Sequence, residues 1–234
     1  MSLNDIRIDL RKIADLEKAK LLQRYFKTGK GEYAEGDVFL GISVPEVRKV
    51  GMKHKSITLK ETEKLLKSKI HEERFIALEI LVMKFDSGNE KEKKEIYDFY
   101  LKNTKSINNW DLVDTSALYI IGKYLIGKKR EVLYKLAKSK NLWERRISII
   151  STAAFIVNKD FDDTFKISKI LLTDKEDLIH KAVGWMLREV GKRDLKAEET
   201  FLNKYYTNMP RTMLRYAIEK FPEAKRKDYL KGKI

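Results

Sequence analysis

The sequence predicts an all-α fold built as a helical-repeat solenoid. Apolar residues recur at spacings of three and four almost throughout, the period of a helix that buries one face. Only three prolines and eleven glycines interrupt the 234 residues, which leaves little room for strands and their turns. Similar helix-opening segments also return along the chain: Glu72-Glu73-Arg74-Phe75-Ile76, Trp110-Asp111-Leu112-Val113, Trp143-Glu144-Arg145-Arg146-Ile147, His180-Lys181-Ala182-Val183-Gly184 and Arg211-Thr212-Met213-Leu214-Arg215. Aligned on Arg74, Asp111, Arg146, Lys181 and Arg215 they step by roughly 34 to 37 residues, the period of a helical-repeat array. A single helical hairpin cannot bury its apolar face alone, so such units stack into a curved array with a long concave surface.

In chain order, the segment up to about Lys30 reads as a capping helical element. A glycine-bearing loop, Gly29 to Gly41, precedes a helix in which Ser43 or Val44 leads into Pro45 near the first helical position. The stretch Asn108 to Leu125 reads as one helix, capped by Asn108 or Asn109, with Asp111 in its first turn suited to the positive end of the dipole. Val113, Ala117, Ile120, Ile121 and Tyr124 form its buried stripe. Glu176 to Val190 is a second amphipathic helix, with Ile179, Val183, Met186, Leu187 and Val190 on the core side. The basic tail from Lys225 reads as a solvated or frayed terminus. No linker divides the chain, and residues 1–234 are expected to form a single domain.

Composition limits the functions. A formal charge of +15 and a pI near 9.6 point to a polyanionic partner, nucleic acid first, against the alternative of a lysine-rich surface of the kind found in heat-adapted proteins. The positive charge clusters: Lys123, Lys128, Lys129, Arg130, Lys135, Lys138, Lys140, Arg145 and Arg146 face only Glu131 and Glu144 in that segment. There is no cysteine, and His54, His71 and His180 lack metal-type spacing, so no metal, no cofactor and no thiolate chemistry is expected. No apolar run approaches the roughly 20 residues that span a bilayer, and the first residues lack a signal-peptide pattern. A cytoplasmic protein without membrane association, monomeric, is expected.

A few residues stand out from this background. Asp114 lies one turn beyond Trp110 on the rim of the stripe, and capping does not explain it. It is either a solvated surface residue or a charge placed to stabilise a developing cation. Trp185 projects nearly opposite the buried stripe of its helix, with Lys181 one turn before it and Arg188 one turn after. It is either buried by the next repeat or packed against a nucleic-acid sugar or base. Arg146 opens a repeat helix, where guanidinium and helix N-terminus can share a phosphate, or where it pairs with Glu144 on the surface. Trp143 shares a face with Ile147, Ile150 and Ala154 and reads as core.

At these residues the chain resembles the DNA alkylation repair family of HEAT-like-repeat glycosylases, the AlkD-like proteins. The resemblance runs through Phe39-Leu40-Gly41-Ile42-Ser43-Val44-Pro45-Glu46-Val47-Arg48, Asn109-Trp110-Asp111-Leu112-Val113-Asp114, Asn141-Leu142-Trp143-Glu144-Arg145-Arg146 and Lys181-Ala182-Val183-Gly184-Trp185-Met186-Leu187-Arg188-Glu189. It implies a HEAT-like solenoid with a basic concave face, and a monofunctional glycosylase that hydrolyses the N-glycosidic bond of cationic N3- or N7-alkylated purines in duplex DNA. Trp110, Asp114 and Trp185 fall on the family's catalytic positions: two indoles against the lesion's deoxyribose, and a carboxylate for the oxocarbenium-like transition state, with the base left in the stack. Arg146 falls on a DNA-backbone contact position, and Lys181 and Arg188 are expected beside it. The departure is Asn109, where better-known members can carry a second Trp. The competing class is a non-catalytic helical-repeat nucleic-acid-binding scaffold, which has the same fold and charge but no use for Trp110, Asp114 and Trp185 together.

Overall fold

The structure, a computed structural model, describes residues 2–234 and is all-helical; among those residues the extended pairing consists of one isolated parallel bridge, Val38 to Ile70. Helices are arranged as a helical-repeat fold, as the periodicity predicts. Among the described residues no helix is long and apolar enough to cross a membrane. The chain divides into two compact units, Met1–Ser116 and Ala117–Ile234. No linker marks the division, because it falls inside the stretch that reads as a single helix from Asn108 to Leu125.

The first unit contains α1 (Leu3–Lys12), α2 (Leu16–Tyr25), α3 (Val44–Lys53), α4 (Leu59–Leu66), α5 (His71–Ser87), α6 (Glu90–Lys102) and the short α7 (Trp110–Asp114). Local chemistry fixes most of the starts. At α4, Thr58 Oγ1 accepts the Glu61 N–H while Glu61 returns a bond to the Thr58 N–H, a reciprocal cap. At the centre lies α5, buried on nearly every side from Phe75 to Leu81 and packed on α3, α4, α6 and α7. Its first four residues, His71, Glu72, Glu73 and Arg74, are all buried and charged or polar, which requires partners. Glu73 pairs with Arg7 at 3.0 Å, and Glu72 accepts the backbone N–H groups of Leu40, Gly41 and Ile42.

The second unit begins with a π-helical turn, Leu118–Gly122, followed by α8 (Glu131–Ala137), α9 (Leu142–Ser151), α10 (Ala153–Ile156), α11 (Asp162–Leu171), α12 (Asp177–Gly191), α13 (Leu195–Tyr205), α14 (Arg211–Ala217) and α15 (Glu223–Lys231). Hairpin partners α8 with α9 and α11 with α12 pack together, and α12 packs between α9 and α14, so the helices that open successive repeats are neighbours. Gly184 makes the last of these contacts possible. A Cβ there would stand 2.4 Å from the Met213 carbonyl oxygen and 2.5 Å from Tyr216 Cβ, so only glycine lets α12 approach α14 this closely.

Two sequence expectations change. The helix expected over 108–125 is instead five α-helical residues, a turn at Thr115–Ser116 and a π-helical turn. Thr115 Oγ1 bonds the Asp111 carbonyl at 2.7 Å and Ser116 Oγ bonds the Leu112 carbonyl at 2.5 Å, and such hydroxyl back-bonding competes with the helical N–H ladder. Most of the stripe nonetheless survives: Val113, Ala117, Ile120 and Ile121 are fully buried, while Tyr124, beyond the π-helical turn, is only half-buried. The basic tail is not frayed either. It forms α15, anchored by the buried Tyr229, whose hydroxyl donates to Asn203 at 2.7 Å, and by Lys225 on Glu199.

Candidate functional site

In the first unit the candidate residues are carried by α7. Asn109, fully buried, caps it by accepting the Trp110 N–H at 2.8 Å and turns its amide toward Asp37 at 3.5 Å. Asn109 thus has buried bonds of its own, to the start of α7 and to Asp37. Trp110 is half-buried. Its ring stacks on Phe26, meets Tyr25 edge-on with centroids 6.2 Å apart, and donates its Nε1–H to the Tyr33 hydroxyl at 3.2 Å. Burial raises the Tyr33 hydroxyl above its ordinary pKa, the indole bond opposing it, so Tyr33 is a neutral phenol beside Trp110.

Asp114 is half-buried at the last position of α7, where the negative end of the peptide dipoles disfavours an acid. Its charge is felt by the fully buried Tyr100, whose hydroxyl is bonded to Ser116 Oγ at 2.8 Å and whose pKa is raised chiefly by burial. Asp111 differs from the sequence expectation. More than a complement to the helix dipole, it is an ion-pair partner: Oδ2 lies 2.7 Å from His71 Nε2 while Oδ1 accepts the Leu112 N–H.

In the second unit α12 brings Lys181, Trp185 and Arg188 onto one face. Ile179, Val183, Met186, Leu187 and Val190 are buried on the other, as the wheel predicts. Trp185 is half-buried, and its Nε1–H donates to Glu189 at 3.3 Å. Glu189 also holds Lys192 and Arg193 at 2.6 and 3.1 Å; burial disfavours its charge, but these cations keep its pKa below the ordinary value. Lys181 pairs with Asp177 at 2.8 Å, and Arg188 with Glu219.

Arg146 is the residue whose surroundings depart furthest from expectation. It is 5% exposed, and its Nη1 donates to the Leu178 carbonyl in the first turn of α12. It is therefore not an open surface cation: it braces the helix that carries Lys181 and Trp185. Arg145, its neighbour, pairs with Asp174 at 2.6 Å on the same approach to α12. Trp143 is buried, as read from its helix face.

Sequence reasoning passed over Tyr33 and the buried polar set Asp37, His71 and Arg74. One sign was visible, four polar residues opening an otherwise apolar helix at His71; their partner Asp37, in a loop more than 30 positions away, gave none.

The fold places the chain among the helical-repeat proteins. Residues 6–221 match the family model for the DNA alkylation repair enzyme, and the chain belongs to that family. A solved structure described as a predicted DNA alkylation repair enzyme from Enterococcus faecalis is 19% identical, over 90% of this chain and 97% of that one, with a TM-score of 0.67, a likeness of fold. No curated protein matches the chain. Family membership gives the protein a role in the repair of alkylated DNA.

Proposed function

We propose that the protein is a monofunctional DNA glycosylase that excises cationic N3- or N7-alkylated purines from duplex DNA. The observation that carries this reading is Asp114, a half-buried acid at the unfavourable end of a short helix, one turn from Trp110. The helix dipole disfavours a carboxylate there, whereas a developing sugar cation is stabilised by one.

An alkylated purine bears positive charge and leaves as a neutral base, so no general acid need protonate it. As the C1′–N bond breaks, the bonding electrons go to the base and positive charge develops on the deoxyribose. Asp114 stabilises that charge electrostatically. Water then adds at C1′ and releases a proton, giving an abasic sugar and free base. Trp110 packs against the deoxyribose and the base stays in the stack, unlike the usual extrusion of a target base; Trp185 is the indole that the second unit offers to the nucleic acid. Trp110 suits this role because Phe26 and Tyr33 fix its ring.

Duplex binding rests on phosphate contacts from Lys181, Arg188 and Arg146. Exposed ion pairs such as Lys181 with Asp177 are worth only about 0–1 kcal/mol, so a phosphate can take the place of the carboxylate. Arg146 is held on the Leu178 carbonyl at the start of α12, which keeps its guanidinium beside the helix that carries Lys181 and Arg188. The test is release of a methylated purine from alkylated duplex DNA. Free base with an abasic site in the strand is the expected product; tight binding without release on any cationic lesion would favour a non-catalytic nucleic-acid-binding scaffold.

A further inference from the structure

Helix α7 has five residues, too few to hold a conformation by its own hydrogen bonds. Its pose must come from what grips it. Behind it, in the same unit, lies a buried polar chain: Arg74 Nη2 is 2.5 Å from Asp37 Oδ2, His71 Nδ1 is 3.5 Å from the same oxygen, and His71 Nε2 is 2.7 Å from Asp111 Oδ2 on α7. Asn109 joins the same Asp37 from the N-cap. The loop bearing Asp37 is tied to the start of α5 by two backbone bonds, Val38 N–H to the Lys69 carbonyl at 3.0 Å and His71 N–H to the Val38 carbonyl at 2.8 Å.

His71 also reaches α7 by a second route. Its ring stacks on Phe39 with centroids 4.4 Å apart, Phe39 stacks on Phe26 at 4.9 Å, and Phe26 stacks on Trp110 at 5.1 Å. One residue thus holds the helix through Asp111 and the indole through the ring stack. We propose that His71 is a positioning residue, which fixes the pose of α7 and so the placement of Trp110 and Asp114.

The charges agree. The titratable groups facing His71 are Asp37 from the loop, Asp111 from α7 and Arg74 from α5. Burial disfavours an imidazolium, but the charge and bond of Asp111 and the bond of Asp37 outweigh both that and Arg74, and His71 is held above its ordinary pKa. The buried Asp37 and the partly buried Asp111 are then balanced by two cations, and both imidazole nitrogens have N–H groups to offer the two carboxylates. Removing one member leaves a buried charge without its counterpart, a costly state that is relieved by movement of whatever is least anchored, here α7.

The inference rests on the glycosylase reading for its effect on rate, but not for its effect on structure, and the test separates them. His71→Phe keeps the ring on Phe39 and removes both N–H groups; His71→Gln restores one donor toward Asp111. Three quantities are read on folded protein: single-turnover release of a cationic alkylpurine with enzyme in excess, affinity for undamaged duplex, and the NMR position of the Trp110 indole N–H. A misplacement on the scale of 1 Å can cost about 100-fold in rate. For His71→Phe we expect a release rate lowered by about 10- to 100-fold, affinity within about twofold of wild type, and a displaced Trp110 resonance. His71→Gln should recover much of the rate, and Asp111→Asn should add little to His71→Phe, as residues of one network do.

If His71 only stabilises the fold, His71→Phe will melt earlier while its release rate and Trp110 resonance stay at wild-type values, and that result overturns the proposal. So does a change in only one of the two. Should His71→Phe fail to fold, Asp111→Ala, at the other end of the same bond, is read by the same criteria. If the wild type releases no base but the Trp110 resonance moves in His71→Phe, the positioning holds and the glycosylase reading fails.

Discussion

The indole of Trp110 lies face to face with the ring of Phe26, centroids 5.1 Å apart and planes 8° from parallel. One face of a candidate substrate-contacting residue is thereby committed to the core, and its orientation depends on a residue that touches no substrate. An aromatic pair is worth about 0.5–1.5 kcal/mol beyond the area it buries. Phe26→Leu should therefore cost about 1–2 kcal/mol in thermal unfolding and reduce single-turnover release while leaving duplex affinity unchanged. Release at the wild-type rate would show that Trp110 needs no backing.

The two tryptophans of the second unit should separate cleanly. Trp143 is buried, and Trp143→Ala should cost about 3–5 kcal/mol. Trp185 is half-buried on the face away from the core, so Trp185→Ala should cost about 1 kcal/mol and abolish most of the excision. Thermal melts and release assays on both variants check this; a melting loss at Trp185 as large as that at Trp143 would assign Trp185 to packing.

Arg146→Ala tests a residue with two possible duties. Losing its charged donor to the Leu178 carbonyl should cost about 1.5–3 kcal/mol of stability. If Arg146 also meets one phosphate, the slope of log affinity against log salt should fall by about 1, alike on different sequences. An unchanged slope in folded protein would leave Arg146 as a brace for α12 only.

Glu198 gives a pH signature. It is 1% exposed and packed on Gly191, its Oε1 has no hydrogen-bond partner, and burial followed by the charge of Glu199 pushes its pKa up to about 8. The folded state therefore keeps a proton that the unfolded chain releases near 4.5. The stability this contributes is fully present below about 4.5 and is lost as pH rises through about 8. Glu198→Gln should remove that decline, so denaturant unfolding at pH 6 and pH 9 should differ less in the variant than in the wild type. Equal differences would mean that Glu198 is charged in the native state.

The regular parts of this molecule were legible because helical burial repeats on a short period. The stripe of α12, the outward turn of Trp185 and the burial of Trp143 follow from spacing alone. What was hidden lay in long-range pairing. Asp111 has a sufficient local explanation at a helix start, and nothing near it in sequence announces His71. Arg146 reads as a surface cation because its acceptor is a main-chain carbonyl, which leaves no mark in the sequence. The break after Asp114 depends on whether two hydroxyls bond backward to carbonyls, a choice that composition does not determine. The tail became a helix because Tyr229, one aromatic among lysines, finds a buried place.

Asp114→Asn tests the central claim most directly. The change preserves size and hydrogen-bonding capacity and removes the negative charge. Single-turnover release of a cationic alkylpurine, with enzyme in excess, isolates the chemical step from binding and product release. An electrostatic stabiliser of the sugar cation is worth about 2.7–4 kcal/mol, so release should slow by roughly 10²–10³ while affinity for the alkylated duplex is kept or rises. Release at the wild-type rate by folded Asp114→Asn protein would contradict the mechanism.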